Sequence, residues 1–221
     1  MRLAPSLHRL GEPIVSCYLI EEAGEVTIID AGVPAYYADL TAELAAMGRS
    51  LEDVRALVLT HGHDDHIGFA ERLRAEHHGP ASIHELDVAV ARGEVGNPSA
   101  GMGQRRLRSL LYYLLWLLRR GAMRTTALTE VGTLDVGTTL DVPGALRVIH
   151  TPGHTRGSVT FHAPGHDALF VGDALFMPDY GTGRCDFPGG SAGALYDSIQ
   201  KIYGFPEETR IFTCHDYLPG G

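Results

Sequence analysis

The sequence has few cysteines and no long apolar run at its start. Only Cys17, Cys185 and Cys214 occur among 221 residues, and no two of them form a CxxC pair. Neither a disulfide framework nor a thiolate zinc site is therefore indicated, and we expect a cytoplasmic protein. Segment 1–10 contains a proline and charges instead of an apolar core, so we expect no secretory signal.

Basic residues are also scarce relative to acidic ones. The chain has 18 Lys and Arg against 27 Asp and Glu, which gives a formal net charge of −9. Nucleic acids and anionic membranes repel such a chain, so we expect a small-molecule substrate and no nucleic-acid partner. With 44% apolar residues, the chain can bury a full core, and we expect one domain over 1–221.

Short β-branched runs alternate with helical patterns along the chain. Apolar periodicity predicts helices over 36–47 and 68–77. The runs predict an α/β protein with mixed sheets and outer helices, in which polar residues follow the strand ends. The predicted strands are 26–29, 56–59, 146–149, 158–161, 168–171 and 210–213.

The segment 60–66, with the sequence THGHDDH, follows one of these strands directly. Neutral imidazole and carboxylate groups suit zinc, iron and manganese, and several on one loop can converge on an ion. The alternative is a solvated polar loop that happens to be rich in histidine. Three further candidate ligands, His154, Asp173 and His215, follow other strands and favour the metal site.

Seven candidate ligands suffice for two metal ions that share one carboxylate. Two neighbouring ions can hold a hydroxide and polarise a carbonyl or phosphoryl oxygen, which is hydrolytic chemistry. We assign His61, His63 and His154 to the first ion, Asp65, His66 and His215 to the second, and Asp173 to the bridge.

In order along the chain, the motifs DAG at 30–32, THGHDDH at 60–66, TPGHT at 151–155, GD at 172–173 and finally His215 resemble the metallo-β-lactamase superfamily. The resemblance covers nearly the whole chain. It implies a four-layer αββα sandwich with the metal ions at one edge of its two sheets, and it carries the seven ligands over to the positions above. It also implies that Asp30 orients the histidine loop, as residues behind metal ligands commonly do.

Two reactions remain open under this resemblance. We favour a hydrolase with two zinc ions that cleaves an ester, thioester or lactone with a metal-bridging hydroxide, with Asp65 as ligand and catalytic residue. Segments 176–190, 195–199 and 214–217 resemble persulfide dioxygenases of the glyoxalase II-like branch. That branch implies one iron held by His61, His154 and Asp173, and conversion of glutathione persulfide to sulfite.

The dioxygenase resemblance also implies roles for Arg184 and Asp186, which would support the site near a thiol substrate. A structural salt bridge between them is the alternative. Tyr217 is a further candidate near the cleft. A third hypothesis is a non-catalytic interaction module that binds a metal.

One segment departs from the α/β pattern and predicts a helical insert at about 103–124. Its apolar run, 110–118, has nine residues, whereas crossing a bilayer takes about 20. Three roles are open: a packing or homodimer contact through 107–118, an active-site lid, or a contact with a membrane surface. The flanking arginines are Arg105, Arg106, Arg108, Arg119, Arg120 and Arg124.

Overall fold

The computed structural model describes residues 1–77, 79, 81–95, 125–178, 180–186 and 188–217. The helical insert predicted at about 103–124, its six arginines and the predicted dimer contact lie outside the described residues. Within these ranges, no helix has both the length and the apolar character needed to cross a bilayer.

The larger sheet of the described chain has seven strands, which follow chain order from one edge to the other. The first three pairings are antiparallel and the last three are parallel. The strands are β1 (Arg2–Ala4), β2 (Leu7–Glu12), β3 (Val15–Glu22), β4 (Glu25–Ile29), β5 (Val54–Val58), β6 (Ala81–His84) and β7 (Gly132–Leu134).

The smaller sheet has four strands: β8 (Arg147–His150), β9 (Val159–Ala163), β10 (Ala168–Phe170) and β11 (Arg210–Phe212). Their order is β11-β10-β9-β8, in which only β10 and β11 pair in parallel. The helices are α1 (Tyr36–Ala46), α2 (Ala70–His77), α3 (Val88–Ala91) and α4 (Ala192–Tyr203). Short 3-10 turns span Leu51–Asp53, Glu85–Asp87, Pro164–His166 and Gly172–Ala174.

Successive side chains of β3 pack into two separate hydrophobic cores. Leu19 packs with Leu40 of α1 and Leu73 of α2, in the core between the larger sheet and its helices. Its neighbour Ile20 faces the other way and packs with Phe161 between the two sheets. Successive strand residues point to opposite faces, so one strand serves both layers.

Successive side chains of β10 also point to opposite faces, and one face packs against the helix that forms the fourth layer. Leu169 packs with Leu195 and Ile202 of α4, whereas Phe170 faces the larger sheet with its ring centroid 5.1 Å from that of Tyr18. Burying such a side chain contributes about 1.5–3 kcal/mol. The layers are helix, sheet, sheet and helix, which confirms the predicted αββα sandwich.

The predicted helices are confirmed as α1 and α2, with ends that agree within two residues. Each of the six predicted strands is present within two residues at either end. The sequence patterns did not indicate β1, β2, β3, β6, β7, α3 or α4.

Glu71 of α2 fixes the segment that leads into β7. Its carboxylate accepts hydrogen bonds from Arg74 at 2.8 Å and from the backbone N–H and hydroxyl of Thr129 at 3.1 and 2.9 Å. The hydrogen bond from Arg74 and those from Thr129 lower the pKa of Glu71 to about 2. The ionised carboxylate therefore stabilises the folded chain.

We expect Glu71→Gln to lower the free energy of unfolding by about 1 kcal/mol at neutral pH, because surface screening limits such pairs. A depressed folded-state pKa adds stability that is fully present above the unfolded value and lost as pH falls towards 2. The difference between parent and variant in urea unfolding should therefore shrink below about pH 4.5. Exposed Glu208→Gln is the control, and a difference that grows in acid would contradict the prediction.

Candidate metal centre

The candidate ligands meet because strand ends from both sheets lie at one edge of the sandwich. In the larger sheet, β4 and β5 run parallel, so Asp30 and the loop 60–66 follow neighbouring strand ends. In the smaller sheet β8, β10 and β11 share one direction, and they lead to His154, Asp173 and His215. A backbone hydrogen bond from Val159 N to Thr60 O, 2.9 Å long, joins the two sheets at this edge.

Three buried imidazoles form the first donor set. His61 Nε2 lies 3.1 Å from His63 Nδ1, and His154 Nε2 lies 2.9 Å from the same atom. One carboxylate oxygen, Asp173 Oδ2, lies 3.3 Å from His154 Nε2. The structure thus brings together the four residues that the sequence assigned to the first ion and the bridge.

The second donor set lies on the other side of the same carboxylate. His66 Nε2 and His215 Nε2 are 3.3 Å apart, and Asp173 Oδ1 is 3.3 Å from each of them. Asp65 Oδ2 is 3.6 Å from His215 Nε2, at the more exposed side of the set. All seven sequence-predicted candidate ligands therefore lie in two adjoining groups.

The separations of 3.3 Å around Asp173 are those expected between ligands of a bound cation. Ligands placed tetrahedrally about 2.0–2.1 Å from zinc lie about 3.3 Å from one another. Buried Asp173 Oδ1 forms no hydrogen bond of good geometry with the described residues, although two imidazole nitrogens are 3.3 Å away. Imidazole nitrogens and carboxylate oxygens are also the donors that zinc and iron accept.

The first set has the protonation states that metal binding requires. Burial lowers the pKa of His61 and of His154, and it lowers the pKa of His63 to about 3. Burial opposes ionisation of Asp173, but the imidazoles of His215 and His154 outweigh it and hold its pKa well below the usual value. Neutral nitrogen donors therefore face an ionised carboxylate.

In the second set the pKa values of the imidazoles are raised, because more carboxylates surround them. Burial disfavours the charged forms of His66 and His215, yet Asp30 and Asp173 raise the pKa of His66, and Asp173 raises the pKa of His215. These imidazoles hold protons more tightly than the first three. A cation entering this set would replace those protons.

Asp30 lies behind the histidine loop. It accepts hydrogen bonds from Thr60 N at 2.7 Å, from the Thr60 hydroxyl at 2.8 Å, and from Cys214 Sγ at 3.2 Å. His66 Nδ1 lies 3.0 Å from its carboxylate, which turns Nε2 of that ring towards the second set. Asp30 has φ = 62°, a conformation that aspartate, asparagine and glycine tolerate best.

Arg184 and Asp186 form the salt bridge that was the alternative to a substrate role. Arg184 Nε and Nη2 donate to the two carboxylate oxygens of Asp186 at 2.8 and 3.0 Å, with both side chains exposed. The backbone of Arg184 has a separate contact, since its carbonyl accepts from His154 Nδ1 at 2.6 Å. This hydrogen bond directs Nε2 of His154 towards the first set.

Tyr217 packs against a candidate ligand. Its ring stacks on the ring of His215, with centroids 5.2 Å apart and planes at 13°, while His215 Nδ1 donates to Ile14 O at 2.5 Å. Tyr180, whose ring centroid is 4.7 Å from that of Tyr217, extends the aromatic cluster outwards.

Sequence reasoning missed one buried carboxylate beside the site. Asp87, 1% exposed, lies three residues after the end of β6, whereas Asp30 directly follows β4. Its position after a strand was the available signal, but no metal-binding residue type adjoins it in a recognisable motif. Its hydrogen bonds reach the loops of both His61 and His154.

The fold and the two adjoining donor sets define the class of protein, an αββα sandwich with a candidate metal centre at one edge of its two sheets. The family model of the metallo-beta-lactamase superfamily matches residues 10–215, and the chain belongs to that superfamily. The resemblance drawn from the sequence motifs is thereby confirmed.

Two relatives and one solved structure illustrate the similarity. A probable metallo-hydrolase of Burkholderia pseudomallei (strain 1710b) is 38% identical over 193 residues, which are 82% of this chain and 58% of the relative. A hydroxyacylglutathione hydrolase of Fuscovulum blasticum is 32% identical over 205 residues, 92% of this chain and 63% of the relative. The chain therefore spans less than two thirds of the length of either relative.

The solved structure is of TTHA1623 in a di-iron-bound form. It superposes with a TM-score of 0.71 at 28% identity, over 95% of this chain and 91% of the other.

We expect Asp30→Asn to lower the free energy of unfolding by about 2–3 kcal/mol, because an amide cannot accept all the hydrogen bonds that the buried carboxylate accepts. Asparagine tolerates the backbone conformation, so strain does not confound the result. Urea unfolding in excess chelator measures this loss without a contribution from bound metal. The exposed Asp141→Asn variant should match the parent, and an Asp30→Asn protein of parental stability would refute the role of Asp30.

Proposed function

We propose that the protein is a metal-dependent hydrolase that uses two metal ions, most favourably zinc, to cleave an ester, thioester or lactone. The observation that carries this proposal is the placement of Asp173, whose two oxygens face different donor sets. The proposed ligands of the first ion are His61, His63 and His154, those of the second are Asp65, His66 and His215, and Asp173 bridges both.

Metal ions at these sets would activate water as a nucleophile and polarise the carbonyl of the substrate. The chain supplies the fixed geometry, because hydrogen bonds to Asp30, Arg184 O and Ile14 O orient three of the imidazoles. Buried surroundings around the first set exclude bulk water and strengthen its electrostatic interactions.

Asp65 is the residue proposed to act as hydrogen-bond acceptor for the attacking water. Burial raises its pKa, but His66 and His215 outweigh burial and lower the pKa below its usual value. Its side chain is 37% exposed, more than that of the other carboxylate in the set. An ionised carboxylate in this position can accept a hydrogen bond from the attacking water and help to orient it.

The relatives support this class of chemistry without defining the substrate. One is named a probable metallo-hydrolase and another a hydroxyacylglutathione hydrolase, so a thioester belongs in the first panel of substrates. The di-iron form of TTHA1623 shows that a related fold holds two iron ions. Imidazole and carboxylate donors accept either metal, so elemental analysis must identify the native one.

We expect purified protein to contain about two metal ions per chain, as a pair of donor sets requires. Removing the metal with a chelator should abolish hydrolysis of a thioester, ester and lactone panel, and added zinc should restore it. One iron per chain with persulfide-dependent oxygen uptake would instead establish the dioxygenase. If the parent shows neither reaction and both His61→Ala and Asp173→Ala keep every binding activity of the parent, the non-catalytic interaction module becomes the leading hypothesis.

Substitutions should separate the two donor sets by metal content. His215→Ala is expected to leave about one ion per chain, because it removes a ligand of the second set alone. Asp173→Asn should weaken both sets and lower kcat/KM by about three orders of magnitude or more. Exposed Glu208→Gln is the control for handling and folding. Equal metal loss in both ligand variants would contradict the assignment of Asp173 as the bridge.

A further inference from the structure

Asp87 is a buried carboxylate that contributes no atom to either donor set. It ends the 3-10 turn Glu85–Asp87 at the carboxyl end of β6, and only 1% of its surface is exposed. Burying a carboxylate is costly unless hydrogen bonds compensate for the lost water. The groups that donate hydrogen bonds to Asp87 therefore indicate its structural role.

These hydrogen bonds join two loops that are far apart in the sequence. Oδ2 accepts from Gly62 N at 3.1 Å and from the Thr155 hydroxyl at 2.7 Å. Oδ1 accepts from Gly157 N at 2.9 Å. Gly62 lies between His61 and His63, and Thr155 follows His154 directly. One carboxylate thus connects the backbone on both sides of the first donor set.

The glycines on either side show how closely the loops approach this carboxylate. A Cβ atom on Gly157 would lie 2.7 Å from Asp87 Cγ, and one on Gly62 would lie 3.1 Å from the backbone oxygen of Asp87. Both loops therefore pack directly against Asp87. A change in this side chain is transmitted to the loops without an intervening flexible group.

We propose that Asp87 is a positioning residue, which fixes the distance between the His61–His63 loop and His154 and so sets the geometry of the first metal ion. The inference rests on the proposed metal sites. A carboxylate suits the task because it only accepts hydrogen bonds and three donors converge on it. Asparagine has nearly the same shape but must point its NH2 group at one or two of those donors.

The test compares Asp87→Asn with parent protein reconstituted with cobalt(II), whose absorption spectrum reports coordination geometry. We expect Asp87→Asn to weaken cobalt and zinc binding at the first set by about 10- to 100-fold, the usual effect of residues behind a ligand. The cobalt spectrum of the first set should also change. Metal affinity is measured by competition with a chelator.

Glu71→Gln is the matched control, because Glu71 likewise accepts a backbone N–H and a threonine hydroxyl, from Thr129. It should lose stability but keep the parental metal affinity and spectrum. Thr155→Val removes the hydrogen bond to Asp87 together with the hydrogen bond between the Thr155 hydroxyl and Ser158 Oγ, and it should give a smaller loss of affinity in the same direction. Ser158→Ala, which removes the second of these but not the first, is its control and should keep the parental affinity. Thr155→Val decides the question if Asp87→Asn does not fold.

The outcomes separate this inference from the proposed function. Unchanged cobalt affinity and spectrum in Asp87→Asn and Thr155→Val would overturn the role of Asp87 while leaving the hydrolase intact. A parent protein that binds two cobalt ions but hydrolyses none of the panel would overturn the proposed reaction, and the cobalt spectra would still decide the role of Asp87.

Discussion

The hydrogen bonds accepted by Asp30 tie the two sheets to the histidine loop. Thr60 follows a strand of the larger sheet, Cys214 follows a strand of the smaller one, and both donate to this carboxylate. His66 Nδ1 lies 3.0 Å from it as well. Because these contacts are buried, water cannot replace them, and the direction of the His66 ring depends on how the two sheets pack.

Three buried aspartates each use their two carboxylate oxygens to connect separate parts of the site. Asp30 accepts from groups behind the second donor set, Asp87 accepts from loops on either side of the first, and Asp173 lies between the sets with one oxygen towards each. A carboxylate has two oxygens and no proton to donate, so it can connect two elements that both offer donors or cations. The strand ends bring these elements within reach of such a short side chain.

The sequence predicted what local patterns encode. Helices α1 and α2 follow from apolar periodicity, and the candidate ligands follow from histidines and aspartates placed directly after apolar runs. Asp87 was not predicted because its role depends on hydrogen bonds from Gly62 and Gly157. These residues are 25 and 70 positions away from it in the chain. The sequence named the Arg184–Asp186 salt bridge as one of two alternatives, whereas the hydrogen bond from His154 to the backbone carbonyl of Arg184 joins residues 30 apart in the chain and is visible only in the structure.

The two donor sets differ in charge because their imidazoles have different protonation states. This difference lowers the electrostatic cost of burying the carboxylates of the second set. The first set has neutral imidazoles because burial lowers their pKa. In the second set burial acts in the same direction, but Asp30 and Asp173 reverse it at His66 and keep a proton there. That proton offsets part of the carboxylate charge when no cation is bound. A cation at the second set would therefore have to replace a proton on His66, whereas the nitrogen donors of the first set are already neutral.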